Sequence, residues 1–392
     1  MVNKRMYELG SKSSSIRELF EYAKMRAKEI GGENVYDFSI GNPSVPTPDS
    51  VNRAIAEALC DPAVHGYTSA QGDENCRNAV AENLNKRYKT NYSAADIFMT
   101  CGAAASLTIT FNALTQSNTD EFIAIAPYFP EYAVFVEGAG ATFKVLKPDY
   151  ENFQIDFEEL EKLIGKNTKG IIVNSPNNPS GAVYERKSLV RLAELLEKKE
   201  KEYSHPIFII CDEPYREIVY SGSEVSHIPS IYKNTILCYS YSKALSLPGE
   251  RIGYILVPPA VQENKAVYAA VAGAARSLGY VCAPSVFQRM LVKCADEVSD
   301  ISVYEKNRDI LYNGLKEAGI TCVHPDGAFY LFLKSPVPDD RAFSKKAMEY
   351  DIMLVPGTDF GCPGYLRASY CVDAEMIKRS LPAFNRLMEN YR

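Results

Sequence analysis

The feature that most constrains this chain is a succession of short, uninterrupted apolar runs, each ending in residues that carry polar chemistry. Ile171 to Asn174 and Ile207 to Cys211 are two of them, and Glu185 to Tyr203 between them spaces leucines and an alanine at helical intervals, with lysines and glutamates outside. Strand, amphipathic helix, strand at this scale is how parallel strands are joined. Apolar side chains in succession, rather than in alternation, belong to strands covered on both faces. Further runs are Ile97 to Thr100, Phe122 to Ala126, Phe143 to Leu146, Ile236 to Ser240 and Ile252 to Val257. The pattern predicts an α/β large domain with a mostly parallel seven-stranded sheet flanked by helices.

Beyond these runs the character changes. A helical pattern from about Ser285 to Ala318 leads to the apolar run Ala328 to Leu333, then a helix, then Ile352 to Val355 and Leu366 to Tyr370, which reads as a smaller α+β domain. At the other end a helix pattern, Ser15 to Ile30, precedes a proline-rich crossing at Gly41 to Pro48 that packs naturally on that smaller unit. The expected division is residues 46–289 for the large domain and 1–45 with 290–392 for the small one.

Composition narrows the function classes. Forty-three basic against 49 acidic side chains give a net charge of −6, which speaks against a nucleic-acid partner, whose readers carry a basic face. The chain opens Met1-Val2-Asn3-Lys4-Arg5 without an apolar stretch, and the least polar region, Ala266 to Phe287, is interrupted by Arg276 and Pro284, so no membrane span is expected. Ten cysteines are spread along the chain without a CxxC pair and four histidines lie far from any such pair. Reduced cysteines, a cytoplasmic location and no metal are the expectation.

In an open α/β sheet, ligands sit beyond the carboxyl ends of the strands. There the chain places Asn174-Ser-Pro-Asn-Asn-Pro-Ser-Gly181, Asp212-Glu-Pro-Tyr215, Ser240-Tyr-Ser-Lys243 and Gly249-Glu-Arg-Ile-Gly253. Singly, each has an ordinary explanation: a turn, a helix cap, a solvated lysine, a surface ion pair. Together they bring an amide, a carboxylate, a phenol, a hydroxyl, a lysine and an arginine to one edge of one sheet. Ahead of them Gly102-Ala103-Ala104-Ala105-Ser106 follows a strand and opens a helix, so free backbone N–H groups and the helix field offer a phosphate site. It is neither the GxGxxG fingerprint nor a GxxxxGK loop, which removes the usual support for nicotinamide or ATP.

These motifs, with Gly41-Asn42-Pro43, Tyr67 and Gly72, Pro127-Tyr128-Phe129, Gly327-Ala328-Phe329-Tyr330, Val355-Pro356-Gly357 and Arg367-Ala-Ser-Tyr370, closely resemble the pyridoxal-phosphate aminotransferases of class I/II and fold type I, the aspartate aminotransferase-like group. The resemblance spans essentially the whole chain. It implies pyridoxal 5′-phosphate as cofactor, with Lys243 forming the Schiff base, Asp212 pairing with the pyridine nitrogen, and Asn178 and Tyr215 bonding the phenolic oxygen. It further implies that Ser240, Arg251 and the amides of Ala103 and Ala104 hold the phosphate. Phe129 would stack on the ring, and Arg367 would clamp the substrate α-carboxylate near Gly41 and Asn178. A homodimer is implied, with Tyr67 reaching in from the second subunit.

These roles agree with elementary chemistry. A carboxylate beside the ring nitrogen favours its protonated form, and desolvation near other cations lowers a lysine pKa so that its amine is free to react. A guanidinium matches a planar carboxylate with two parallel donors. Two departures stand out: the chain has no tryptophan, so Phe129 takes the stacking position, and the phosphate loop lacks the serine, threonine or lysine that many members carry.

The expected reaction is transfer of an amino group from an L-amino acid, aspartate or similar, to a 2-oxo acid such as 2-oxoglutarate. An acidic side chain needs a second cation, for which Arg17 and Arg276 are candidates. Tyr22, Tyr128, Tyr132 and Tyr280 could instead line an apolar pocket, which leaves an aromatic, alanine or broad range open. A carbon–sulfur lyase, or a regulatory or binding protein on the same fold, are the remaining alternatives.

Overall fold

The computed structural model describes residues 2–11 and 14–392. Seven strands, β1 (Ile97–Thr100), β2 (Glu121–Ile125), β3 (Thr142–Leu146), β4 (Thr168–Asn174), β5 (Phe208–Asp212), β6 (Thr235–Ser240) and β7 (Gly253–Leu256), form one sheet in the order β1-β7-β6-β5-β4-β2-β3. β7 runs antiparallel to β1 and β6, and every other pair is parallel. The expected α/β architecture is present, with strand ends displaced by one to three residues: β4 begins at Thr168 and not Ile171, and Asp212 closes β5 instead of following it.

Every residue of β1, β5, β6 and β7 is buried, as strands covered on both faces require. Successive side chains enter opposite cores: Ile171, Val173, Ile209, Cys211 and Leu237 one, Ile172, Phe208, Ile210, Ile236 and Cys238 the other. That parity positions the site. Asn174, Asp212 and Ser240 continue the second series, and in register Asn174 lies beside Asp212 and Asp212 beside Cys238. On that face packs the helix Ala103–Leu114, through Leu107, Ile109 and Phe111. Phe111 meets Phe122 of β2 edge-on, with ring centroids 5.0 Å apart. Truncating such a buried phenylalanine to alanine costs about 3–5 kcal/mol, so Phe111→Ala would loosen the helix that walls the site.

The smaller lobe has a three-stranded antiparallel sheet in the order Val355–Pro356, Tyr365–Ser369, Tyr330–Lys334. Leu311, Leu331, Phe343, Ile377 and Phe384 fill its core. The expected helix Ser15–Ile30 is present, capped by the Ser14 side chain on Arg17 N, and its Leu19 and Ala23 pack with Phe332, Met353 and Val355. The helical pattern read over 285–318 is instead two helices, Ser285–Cys294 and Ser302–Glu317. Asp300 is the reason: its carboxylate accepts from the backbone N–H of Ser302 at 3.0 Å and from the Ser302 hydroxyl at 2.6 Å. A short acidic side chain that bonds nearby backbone competes with a continuing helix. Just before it, Ser299 N donates to Ala244 O at 2.8 Å, tying the break to the short helix Tyr241–Ala244 that carries Lys243. Met290, Leu291 and Cys294 pack on the large-sheet core, so a division after residue 289 cuts a helix that lies on the large lobe. Among the described residues no helix is long and apolar enough to cross a membrane, and all ten cysteines are free thiols.

Candidate active site

A cavity of about 300 Å³ opens at the carboxyl edge of the sheet, bounded on its far side by the small lobe. Ala103, Ala104, Phe129, Asn178, Asp212, Tyr215, Ser240, Lys243, Arg251, Gly41 and Arg367, the residues read from sequence, all line it. Tyr67 does not: its side chain is 99 % exposed. Arg17 and Arg276 are also exposed, and neither borders the cavity.

At the floor, helix Ala103–Leu114 begins after Gly102, which holds φ at +86° and offers no side-chain cap. A Cβ there would come within 2.8 Å of an Arg251 guanidinium nitrogen, and one on Gly253 would meet Tyr239 O at 2.2 Å. Glycine at both places lets the guanidinium approach the helix start. Arg251 Nη1 donates to Ser242 Oγ at 3.2 Å, and Ser242 Oγ lies 2.8 Å from Ser240 Oγ. Uncapped amides, two hydroxyls and a guanidinium converge as an anion with several oxygens requires. Ser242 was not singled out from sequence; its place one residue before the lysine was the available signal.

Asp212 ends β5 at 5 % exposure. Its Oδ2 accepts from the Tyr132 hydroxyl at 2.5 Å, while Oδ1 has no partner among the described residues. Burial pushes its pKa up to about 7, against the pull of the Tyr132 bond, with the neighbouring Glu213 adding to the rise. A protonated ring nitrogen is the kind of group that would satisfy Oδ1 and reverse that rise. Tyr132, offered from sequence as the wall of an apolar pocket, is instead fully buried and bound to this carboxylate. It lies one helical turn beyond Phe129, whose ring it meets edge-on at 5.7 Å. Of the other tyrosines, Tyr128 packs edge-on against Phe143, Tyr22 borders the cluster around Leu19, and Tyr280 is exposed.

Lys243 keeps part of its surface on the cavity, and its Nζ donates to Gly41 O at 2.7 Å. Burial lowers its pKa to about 8; Cys371 opposes that shift, and Arg367 and Arg251 add to it. On the same cavity wall, the Tyr215 and Tyr330 hydroxyls lie 2.8 Å apart. Tyr330 also fills the space that Gly41 leaves, for a Cβ there would be 2.0 Å from its oxygen.

Arg367 is 2 % exposed. It donates to Asn178 Oδ1 at 3.2 Å and to Ser39 O, its plane lies 4.7 Å from the Tyr330 ring centroid, and its Nε has no partner among the described residues. Asn178 is itself held by Asn174, which accepts from Asn178 N at 2.8 Å and donates to Asp212 O at 2.8 Å. A buried guanidinium with donor capacity left over is built for a carboxylate. The donor set therefore fits a phosphorylated, protonated heteroaromatic aldehyde at one end and an α-carboxylate at the other.

A mostly parallel α/β sheet brings a lysine, an aspartate and a phosphate-type cradle together at its carboxyl edge. The chain belongs to the family described as aminotransferase class I and II, which matches residues 33–384. A crystal structure of an amino transferase from Eubacterium rectale superposes with a TM-score of 0.98 at 57 % identity, covering 100 % of this chain and 99 % of that one. The aspartate aminotransferase of Thermus thermophilus with maleate gives 0.86 at 26 % identity over 99 % and 100 %. The aspartate aminotransferase of Thermotoga maritima is 30 % identical over 386 residues, 97 % of each chain.

Proposed function

We propose that this aminotransferase holds pyridoxal 5′-phosphate on Lys243 and moves the amino group of an L-amino acid, aspartate or similar, to a 2-oxo acid such as 2-oxoglutarate. The observation that carries the reading is the pairing of a buried lysine of lowered pKa with a buried aspartate whose Oδ1 is unsatisfied, on neighbouring strand ends. Bound there, the cofactor supplies an electron sink for the charge left when the substrate α-proton departs. Asp212 keeps the ring nitrogen protonated, and Tyr132 keeps Asp212 ionised and aimed. Tyr215 and Asn178 bond the phenolic oxygen; Ser240, Arg251 and the amides of Ala103 and Ala104 hold the phosphate. Phe129 covers one ring face. Arg367 would orient the substrate by its α-carboxylate, beside Gly41, and Lys243 Nζ would take up the α-proton. Ser242 joins the phosphate set through Arg251.

We place the enzyme in the cytoplasm as a homodimer whose second subunit brings Tyr67 to the phosphate. The Thermotoga and Thermus relatives support an acidic donor. One observation favours a broader range: Ile16, Leu107, Phe129 and Tyr330 border the cavity, and the cations on its wall are Lys243, Arg251 and Arg367, each with a role already. A panel of amino donors with purified holoenzyme decides between them. Strong turnover of aspartate with 2-oxoglutarate is the expected result; activity with tyrosine or alanine and none with aspartate would reject the acidic donor. Pyruvate or sulfide released from cystathionine without any oxo-acid acceptor would mark a lyase instead.

A further inference from the structure

Ala328 is fully buried and holds φ at +55°, a region that penalises an L-residue with a Cβ and no polar side chain to bond its own backbone. Its turn is wedged between three segments that supply the site. Ala328 N donates to Ile218 O at 2.9 Å, Gly327 N to Gly181 O at 3.0 Å, and Tyr370 N to Phe329 O at 2.9 Å. The first segment begins with Tyr215, the second contains Asn178 and the third Arg367. A Cβ on Gly327 would press within 2.8 Å of Pro176, so the turn cannot withdraw in that direction.

The Ala328 carbonyl accepts the hydroxyl of Tyr220 and, at 3.3 Å, that of Tyr370. Neither tyrosine lines the cavity, and both are buried. The Arg308 guanidinium covers the Tyr220 ring at 4.5 Å and holds it in place. A carbonyl has two acceptor positions, and here both are taken. Turning the peptide to relieve Ala328 would strand that carbonyl without donors in a dry interior and leave the two hydroxyls only each other, which opposes relaxation. Two residues further on, Tyr330 reaches Tyr215 with its hydroxyl and Arg367 with its ring.

We propose that Tyr220 and Tyr370 are positioning residues: by filling both acceptor sites of the Ala328 carbonyl, they hold a strained turn that sets Tyr330 between Tyr215 and Arg367. Backbone strain maintained by its surroundings beside a site is the pattern expected of such a device. The inference rests on the site assignment proposed above.

The test uses holoenzyme of Tyr220→Phe, Tyr370→Phe and the double variant, each with and without Ala328→Gly, reading Tm, bound cofactor and kcat/KM per loaded site. The double variant is expected to lose about tenfold in kcat/KM per loaded site, about 1.4 kcal/mol. Its pH profile should also move, because the Tyr215 hydroxyl loses its fixed neighbour. Glycine at 328 adopts the left-handed turn without strain, so adding Ala328→Gly restores the rate to within about threefold. A double variant with unchanged kcat/KM per loaded site and only a lower Tm overturns the proposal, as does a loss that Ala328→Gly leaves in place. Tyr370→Phe, which removes the longer bond, keeps the test open if the double variant does not fold: a loss of about two- to threefold, again restored by glycine, is expected, and no loss overturns the proposal. A wild-type protein that takes up no cofactor rejects the site assignment itself, a different failure.

Discussion

The polar wall of the cavity is Asp212, Ser240, Lys243 and Arg251, carried by the ends of β5 and β6, the short helix Tyr241–Ala244 and the segment just before β7. Its less polar wall is Ile16, Leu107, Phe129 and Tyr330, drawn from four segments and both lobes. The first group is polar and interlocked: Arg251 on Ser242, Ser242 on Ser240, Tyr132 on Asp212. The second is mostly apolar: Tyr330 is fixed by its hydroxyl contact with Tyr215, while Ile16 is only half-buried. Chemistry common to many substrates is thus fixed at the ends of fully buried strands. The choice of substrate falls to surfaces that each segment can alter alone.

The sharpest break of that contrast is Lys243→Ala. Turnover should fall by about 10³-fold or more, since the acid–base group itself is lost, and the protein's visible cofactor absorption should change with it. Full activity in this variant would move the chemistry elsewhere. Arg367→Ala comes next: losing a charge-assisted pair worth about 1.5–3 kcal/mol should raise KM for every donor by about ten- to a hundredfold. Arg367→Lys should recover only part of this, because the two parallel donors are not replaced. Steady-state kinetics on two unlike donors checks that the loss is uniform.

Tyr132→Phe should cost about tenfold in kcat, with a direction in pH. The Tyr132 bond lowers the Asp212 pKa, so its removal moves that value up and the carboxyl holds its proton to higher pH. Activity is therefore lost first from the acid side, and a pH–rate profile whose acid limb does not move up would contradict the assignment. Lys243 gives a companion test on cofactor-free protein. Its amine is neutral above about pH 8, so cofactor uptake should accelerate about fivefold between pH 7 and 8. An unperturbed lysine would still be climbing near its ordinary value at that point. The smallest effect belongs to the less polar wall: Ile16→Ala should change the donor preference by about threefold while leaving cofactor absorption alone, since a half-buried side chain contributes little.

Legibility from sequence divides along the same line. Strand ends are short and their residues contiguous, so Asn174, Asp212, Ser240 and Lys243 could be placed on one edge without knowing any contact. Apolar succession along β4, β5 and β6 was enough to locate them. Tyr132 escaped because nothing local distinguishes a phenol that packs from one that donates to a carboxylate; that depends on the depth at which helix Glu131–Gly138 meets β5. The helix break at 295–301 was hidden for a related reason. Residues on either side keep helical spacing, and only Asp300 and the Ser299 bond to Ala244 end the run. Ile16 lies far along the chain from the other residues of the cavity wall, so its place there is set by tertiary packing.

Tyr67, turned fully into solvent on its own chain, has a consequence for mixtures of defective proteins. In the proposed dimer each site draws Lys243 from one subunit and Tyr67 from the other. Co-expressing a Lys243→Ala chain with a Tyr67→Ala chain would then give mixed pairs in which one site lacks both groups and the other has both. Random pairing regenerates roughly a quarter of the sites, so two crippled parents would yield offspring more active than either.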